Sequence, residues 1–222
     1  MRLKDVLSRV NLPLILKIGG VEAVTDLYEA LSIGAQGIIA PMAETAFATS
    51  KFLGIIETYV PEDNQKDIEF AINVETITAY RNIDEILGLG KISLLKSVTV
   101  GRVDFTGSLG RDRTFANSDE MLRYCEEIFA KSRQKGLRTA LGGAVSPESE
   151  GFVKALIAKG LVDKYETRKL VYHKDGAQTY AEGLAAGIEF ELLWLKSKRR
   201  YYHRVTIEDE KRIAMLEKRA KG

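Results

Sequence analysis

The chain has 222 residues and is 45% hydrophobic, enough for one sizeable core or two small ones. Its 33 Lys and Arg against 31 Asp and Glu leave a net charge of +2, which argues against a broad nucleic-acid footprint. The single cysteine, Cys125, excludes an internal disulfide framework. No charged-then-apolar leader and no apolar run of about 18 residues marks a membrane span, so a soluble cytoplasmic protein is expected.

The chain opens in a helical pattern, with Leu3, Val6, Leu7 and Val10 on one face. Leu14–Ile18 reads as a strand closed by Gly19-Gly20, then Val21–Ser32 as an amphipathic helix ended by Gly34. Gly37–Ala40 is the next strand and Thr45–Tyr59 a helix, followed by a polar turn from Pro61 to Lys66. Ile68–Val74 is a strand, Ala79–Leu87 a helix and Val98–Gly101 a strand, after which Thr106–Asn117 is a loop. Ser118, with Asp119 and Glu120 behind it, begins a helix that runs to Gly136 and carries Cys125 on its apolar face as a structural thiol. Arg138–Leu141 is a strand, Ser146-Pro147-Glu148 starts a helix, and Glu166-Thr167-Arg168 leads into a strand ending at Tyr172.

This alternation implies a parallel sheet flanked by helices. Six strands are of barrel type where a closed (β/α)8 barrel needs eight. The expected fold is therefore a TIM-type barrel that lacks or rearranges its N-terminal strands, with a doubly wound open sheet as the alternative. The expected domains are a barrel over residues 1–176 and a helical extension over 177–222. On that extension Tyr180, Leu184, Ile188, Leu192 and Leu195 form one apolar face, whose burial calls for the barrel flank or a second subunit; a homo-oligomer is expected.

Two stretches carry the chemistry. Ile72-Asn73-Val74-Glu75-Thr76 and Val100-Gly101-Arg102-Val103-Asp104-Phe105 are β-branched runs that end in a carboxylate. Acids delivered from neighbouring strands to the C-terminal face of a barrel make a site for one hard divalent cation. The same residues would also serve as helix caps or as partners of Lys and Arg.

Residues 72–87 (INVETITAYRNIDEIL) and 100–110 (VGRVDFTGSLG) resemble the paired metal motifs of the HpcH/HpaI aldolase/citrate lyase family. The stretches LKIGG at 16–20 and APMAE at 40–44 fall where that family has pocket-lining strand ends. The resemblance spans most of residues 12–168. It implies a TIM barrel and a metal-dependent carbon–carbon lyase acting through a pyruvate enolate. Glu75 and Asp104 would hold Mg²⁺ or Mn²⁺, and the substrates would be a small 2-oxo acid with an aldehyde or acyl partner. Backbone N–H groups of Gly101, Arg102 and Val103 would take the substrate carboxylate.

Two departures from the family pattern stand out. Lys17 occupies the place of an arginine that stabilises the enolate, keeping the charge but losing the bidentate fork. A Schiff-base role or an ion pair with Glu44 or Glu75 are its other readings. The family's histidine base comes from a segment N-terminal to this match, and His173 and His203 both lie outside the motifs. Glu44 is a candidate acid or base, or a helix-terminal acid. Glu166 and Arg168 are read as pairing with each other or lining the pocket. Arg102, Arg111 and Arg113 flank the metal loop and would suit an anionic tail, or are solvated charges. A non-catalytic relative that keeps the barrel and the metal is the competing reading. The basic run at 196–204 reads as a solvated helix face.

Overall fold

The computed structural model describes residues 3–220. The chain divides into two units, the first ending at Gln178 and the second beginning at Thr179.

The first unit is built on one seven-stranded sheet in simple chain order: β1 (Ile15–Lys17), β2 (Gly37–Ala40), β3 (Glu69–Val74), β4 (Ser97–Gly101), β5 (Arg138–Gly142), β6 (Lys164–Glu166) and β7 (Val171–His173). Each strand through β6 pairs in parallel with the next, and β7 returns antiparallel to β6. β1 and β7 do not pair with each other, so the sheet stays open. Strands added one beside the next through helices are the construction of a (β/α) barrel, here seven strands with the last reversed. The sixth parallel strand is Lys164–Glu166, ahead of the segment expected from sequence. A three-residue strand is too short to show a period, and the Val171–His173 run belongs to a hairpin that stacks Tyr172 on Tyr165, ring centroids 5.1 Å apart.

The connecting helices are α1 (Leu3–Arg9), α2 (Val24–Ser32), α3 (Ala46–Tyr59), α4 (Glu62–Asp67), α5 (Ile77–Arg81), α6 (Ile83–Leu87), α7 (Arg102–Ser108), α8 (Asp119–Gln134) and α9 (Glu150–Ala158). Thr45, Thr76 and Ser118 cap α3, α5 and α8, each side chain accepting from the N–H three residues on. The polar stretch expected as a turn after Pro61 is the short helix α4, and the helix expected over Ala79–Leu87 is broken at Asn82 into α5 and α6. Strand and helix faces separate cleanly. Phe70, Ile72, Val98, Val100 and Leu141 are fully buried on the helix-facing side, where Phe52 of α3 meets Phe70 edge-on. Each such side chain contributes about 1.5–3 kcal/mol by leaving water.

The other face of the sheet is mixed, with Ile15, Ile39, Ala71 and Ala140 beside its polar side chains. It carries Glu69, Asn73, Ser97, Thr99, Lys164 and Glu166, alternating with the apolar set as the pleat requires. At its N-terminal end Glu69 is fully compensated. Lys164 Nζ donates to both oxygens at 2.6 and 2.7 Å, Arg138 Nη2 donates at 2.7 Å and Ser97 Oγ at 2.8 Å.

The second unit holds the helical extension expected from sequence as a single uninterrupted helix, α10 (Tyr180–Ala220). No helix among the described residues is long and apolar enough to cross a membrane.

Candidate active site

The residues singled out from sequence fall on the C-terminal edge of the sheet, with one change of setting. Glu75 directly follows β3, as expected. Asp104 does not end a strand: β4 stops at Gly101, and Asp104 lies in the first turn of α7, exposed. A carboxylate there is favoured by the helix N-terminus. β3 and β4 are neighbours, Val74 pairing with Val100, so both acids stand on adjacent segments of one rim.

Glu75 is only 2% exposed. Its Oε1 accepts from Met42 N at 3.0 Å and its Oε2 from Asn73 Nδ2 at 3.0 Å. Met42 adopts a left-handed backbone, φ 52°, which costs about 1–3 kcal/mol in a non-glycine residue and turns its N–H onto the carboxylate. Among the described residues Glu75 makes no ion pair, so neither Lys17 nor any other cation neutralises it directly.

A row of four residues crosses the sheet at this level. Gly101 and Gly142 pair in register on β4 and β5. A Cβ on Gly101 would stand 2.7 Å from Glu75 Oε2, and one on Gly142 would stand 2.9 Å from Glu166 Oε1. Both glycines exist because a carboxyl lies across them. Two acids therefore flank a floor made of bare backbone.

Glu166 is the member that sequence reasoning placed poorly. It ends β6 on the mixed face rather than beginning a strand, and it forms no ion pair with Arg168 among the described residues. Burial pushes its carboxyl up to about 7, opposed by Lys164 and Lys17 and reinforced by Glu75. Lys17 is exposed at the C-terminal end of β1, near enough for its charge to act on Glu166. Glu44 is half-buried beyond β2. Its Oε1 accepts from the Thr76 hydroxyl at 2.7 Å and its carbonyl from Asn82 Nδ2 at 2.8 Å, which ties the β2 and β3 loops together.

The arginines divide. Arg102 is fully buried and turned into the protein, donating to Gly142 O, Ala116 O and Asn117 Oδ1, with its guanidinium 4.6 Å from the Phe152 ring. Its side chain anchors the start of α7 to β5; what it offers the rim is its backbone. Arg168 is exposed on the β6–β7 turn. Arg111 and Arg113 are exposed, and Arg111 sits 5.6 Å from the Phe115 ring. On the far side of α7, Phe105 packs against Tyr80 and Tyr124 at 6.3 and 5.2 Å, fixing the helix that carries Asp104. His173 pairs with Lys164 at the opposite end of β6 and meets Asp175 at 3.0 Å; His203 lies on α10. Cys125 is buried and its thiol is pushed up to about 12 by desolvation, the structural role expected of it. No cluster of three or more metal-binding side chains occurs among the described residues.

A family model described as HpcH/HpaI aldolase/citrate lyase matches residues 12–152. The comparison with curated proteins gave no match. Among solved structures the chain is similar to an HpcH/HpaI aldolase from Desulfitobacterium hafniense DCB-2, with TM-score 0.59 and 17% identity over 84% of this chain and 76% of that one. It is similar to the citrate synthase SbnG, with TM-score 0.61 and 18% identity over 85% and 76%. It is also similar to a citrate lyase beta subunit from M. tuberculosis complexed with oxaloacetate and magnesium, with TM-score 0.51 and 15% identity over 81% and 77%. At these identities the structures speak for the fold.

Proposed function

The chain belongs to the HpcH/HpaI aldolase/citrate lyase family, and from that premise we propose that it is a metal-dependent carbon–carbon lyase of aldolase type acting on a 2-oxo acid. The observation that carries this reading is the state of Glu75: a buried carboxylate held by two neutral donors with no cationic partner among the described residues. An uncompensated buried carboxylate costs several kcal/mol, and a divalent cation at the rim would offset that cost. The donors fit such an ion. Glu75 and Asp104 would supply hard oxygen ligands to Mg²⁺ or Mn²⁺, and two carboxylates leave most of the coordination sphere for water and substrate. When bound, the ion would serve as a Lewis acid toward the 2-oxo and carboxylate oxygens of a pyruvate-like molecule, as magnesium accompanies oxaloacetate in the citrate lyase relative.

The remaining roles belong to the chain itself. The Gly101–Gly142 floor leaves room for a flat 2-oxo acid, and the N–H groups of Gly101, Arg102 and Val103 are its carboxylate anchors. Lys17 offsets negative charge that develops on the 2-oxo oxygen, through an ammonium without a covalent bond. Glu166, half-buried and within reach of the charge on Lys17, holds or releases the proton at Oε1, and Glu44, oriented by Thr76, is the second acid–base candidate. Arg168 faces an anionic tail of the aldehyde or acyl partner. With His173 at the opposite end of β6, acid–base work at this rim falls to carboxyls and water.

The test is exchange of pyruvate methyl protons into deuterated water, followed by nuclear magnetic resonance with and without Mg²⁺, and then a screen of aldehyde and acyl partners. Metal-dependent exchange that disappears in Glu75→Gln supports the lyase. Metal binding without exchange under any divalent ion would favour the second reading, a barrel that keeps the metal but lacks a working base; the position of His173 is the observation on its side.

A further inference from the structure

The unit beginning at Thr179 carries a pattern that the active site does not use. Along α10, Ile188, Leu192, Leu195, Arg199, Tyr202, Thr206, Asp209, Ile213 and Leu216 follow one another at alternating steps of four and three residues. That is the seam of a coiled coil. Its large apolar members are all exposed: Ile188 at 55%, Leu192 at 48%, Leu195 at 48%, Tyr202 at 56%, Ile213 at 53% and Leu216 at 46%. A stripe of this kind in water calls for a partner.

The seam is a palindrome. Rotated by a two-fold axis beside Arg204, it maps onto itself, so that Leu192 meets Leu216, Leu195 meets Ile213, Arg199 meets Asp209 and Tyr202 meets Thr206 of a second copy. Apolar layers face apolar layers, and the one basic seam residue faces the one acidic seam residue. The flanks agree, since the acidic block Glu208, Asp209 and Glu210 falls at the height of Arg200, Arg199 and Lys198. Parallel pairing would stack Arg199 on Arg199 and Asp209 on Asp209. Sliding the antiparallel register by one heptad would set Asp209 against Leu192, or Arg199 against Leu216.

We infer that α10 is a homodimerisation element, pairing with the α10 of a second copy of this chain as an antiparallel two-stranded coiled coil centred on Arg204. The seam from Leu192 to Leu216 runs about 36 Å at 1.5 Å per residue. Arg199 and Asp209 select the orientation, and the hydrophobic layers on either side of them supply the affinity.

Sedimentation of the full chain and disulfide trapping test this together. The wild-type chain should sediment as a dimer or a multiple of it at micromolar concentration. Leu195→Cys with Ile213→Cys in one chain should cross-link copies under mild oxidation, while Leu195→Cys alone should not; buried Cys125 stays silent. Arg199→Asp should raise the dissociation constant at least about tenfold, and adding Asp209→Arg should restore it. A monomer at micromolar concentration, efficient cross-linking by Leu195→Cys alone, or an assembly indifferent to Arg199→Asp would each overturn the proposal.

Discussion

Glu69 opens β3 and Glu75 directly follows it, six positions apart in the period-two pattern of one face. Their surroundings are opposite. Glu69 is gripped by Lys164, Arg138 and Ser97, and although burial raises its pKa, those partners outweigh it and hold the carboxyl below its ordinary value. Glu75 is more deeply buried and receives only a backbone N–H and an amide. One end of this face is a closed charge network; the other holds a carboxyl with two neutral donors and no ion pair among the described residues. In barrels of this kind the N-terminal end of the sheet serves stability and the C-terminal end serves chemistry, and the settings of Glu69 and Glu75 are what that division would require.

The largest expected effect breaks the comparison at its upper end. Glu75→Gln should abolish Mg²⁺ binding measured by calorimetry and reduce metal-dependent proton exchange to background. It should leave the melting temperature unchanged or raised, because the neutral amide no longer needs a cation. A variant that keeps full exchange would remove Glu75 from the site. Gly101→Ala reaches the same carboxylate from below. Its Cβ would stand 2.7 Å from Glu75 Oε2, so the carboxylate must move; affinity for Mg²⁺ should fall with the fold intact.

Lys17 comes next. Lys17→Met should cost roughly 10²–10³-fold in kcat, the scale for one lost stabiliser of developing negative charge, while Lys17→Arg should keep or improve turnover. Borohydride trapping of a pyruvate adduct on Lys17 would replace this electrostatic role by a Schiff base.

At the lower end of the strand, Glu69→Ala leaves Lys164 and Arg138 facing each other without their shared anion. Removing the acceptor of charge-assisted hydrogen bonds in this half-buried network costs about 1.5–3 kcal/mol, measurable as a shifted urea midpoint. The folded fraction of this variant should still bind Mg²⁺, since nothing in the Glu69 network touches Glu75. Loss of the metal site along with stability would show that the two ends are not separable.

The same contrast explains what could be read from the sequence. Strands β1 to β5 were visible within a residue or so because each is an apolar β-branched run ended by small residues, and Glu75 and Asp104 stood out because a carboxylate interrupts such a run. Glu166 was misplaced because β6 is Lys164-Tyr165-Glu166, two charges around one tyrosine, which has no apolar signature. Its inward charges were nevertheless a signal: period two, with Lys164 and Glu166 on the same side as Glu69. From sequence the strand ends at Gly101, yet Asp104 reads as a strand-end acid because nothing in Val103-Asp104-Phe105 announces that α7 starts at once. Arg102 was grouped with its neighbours as a surface cation, since linear sequence does not show that Gly142, Ala116 and Asn117 converge on it.

The smallest effect is a pH dependence that belongs to the lower end alone. Glu69 titrates below its ordinary value of 4.5 in the folded chain. It therefore contributes stability that is fully present above about 4.5, where the carboxylate is charged in both folded and unfolded states. As pH falls from there, the unfolded chain takes up the proton first, and the contribution is lost progressively as pH drops through the folded value. Urea unfolding of the wild type should weaken between pH 5 and the onset of acid unfolding by more than that of Glu69→Gln, which has no proton to bind at this position. The Lys164–Asp163 region also contains a lowered carboxyl, Asp163, so the informative quantity is the difference between the two chains rather than either slope. Equal slopes would show that Lys164 and Arg138 do not favour the charged form of Glu69, and the distinction between the closed lower network and the open upper site would lose its electrostatic basis.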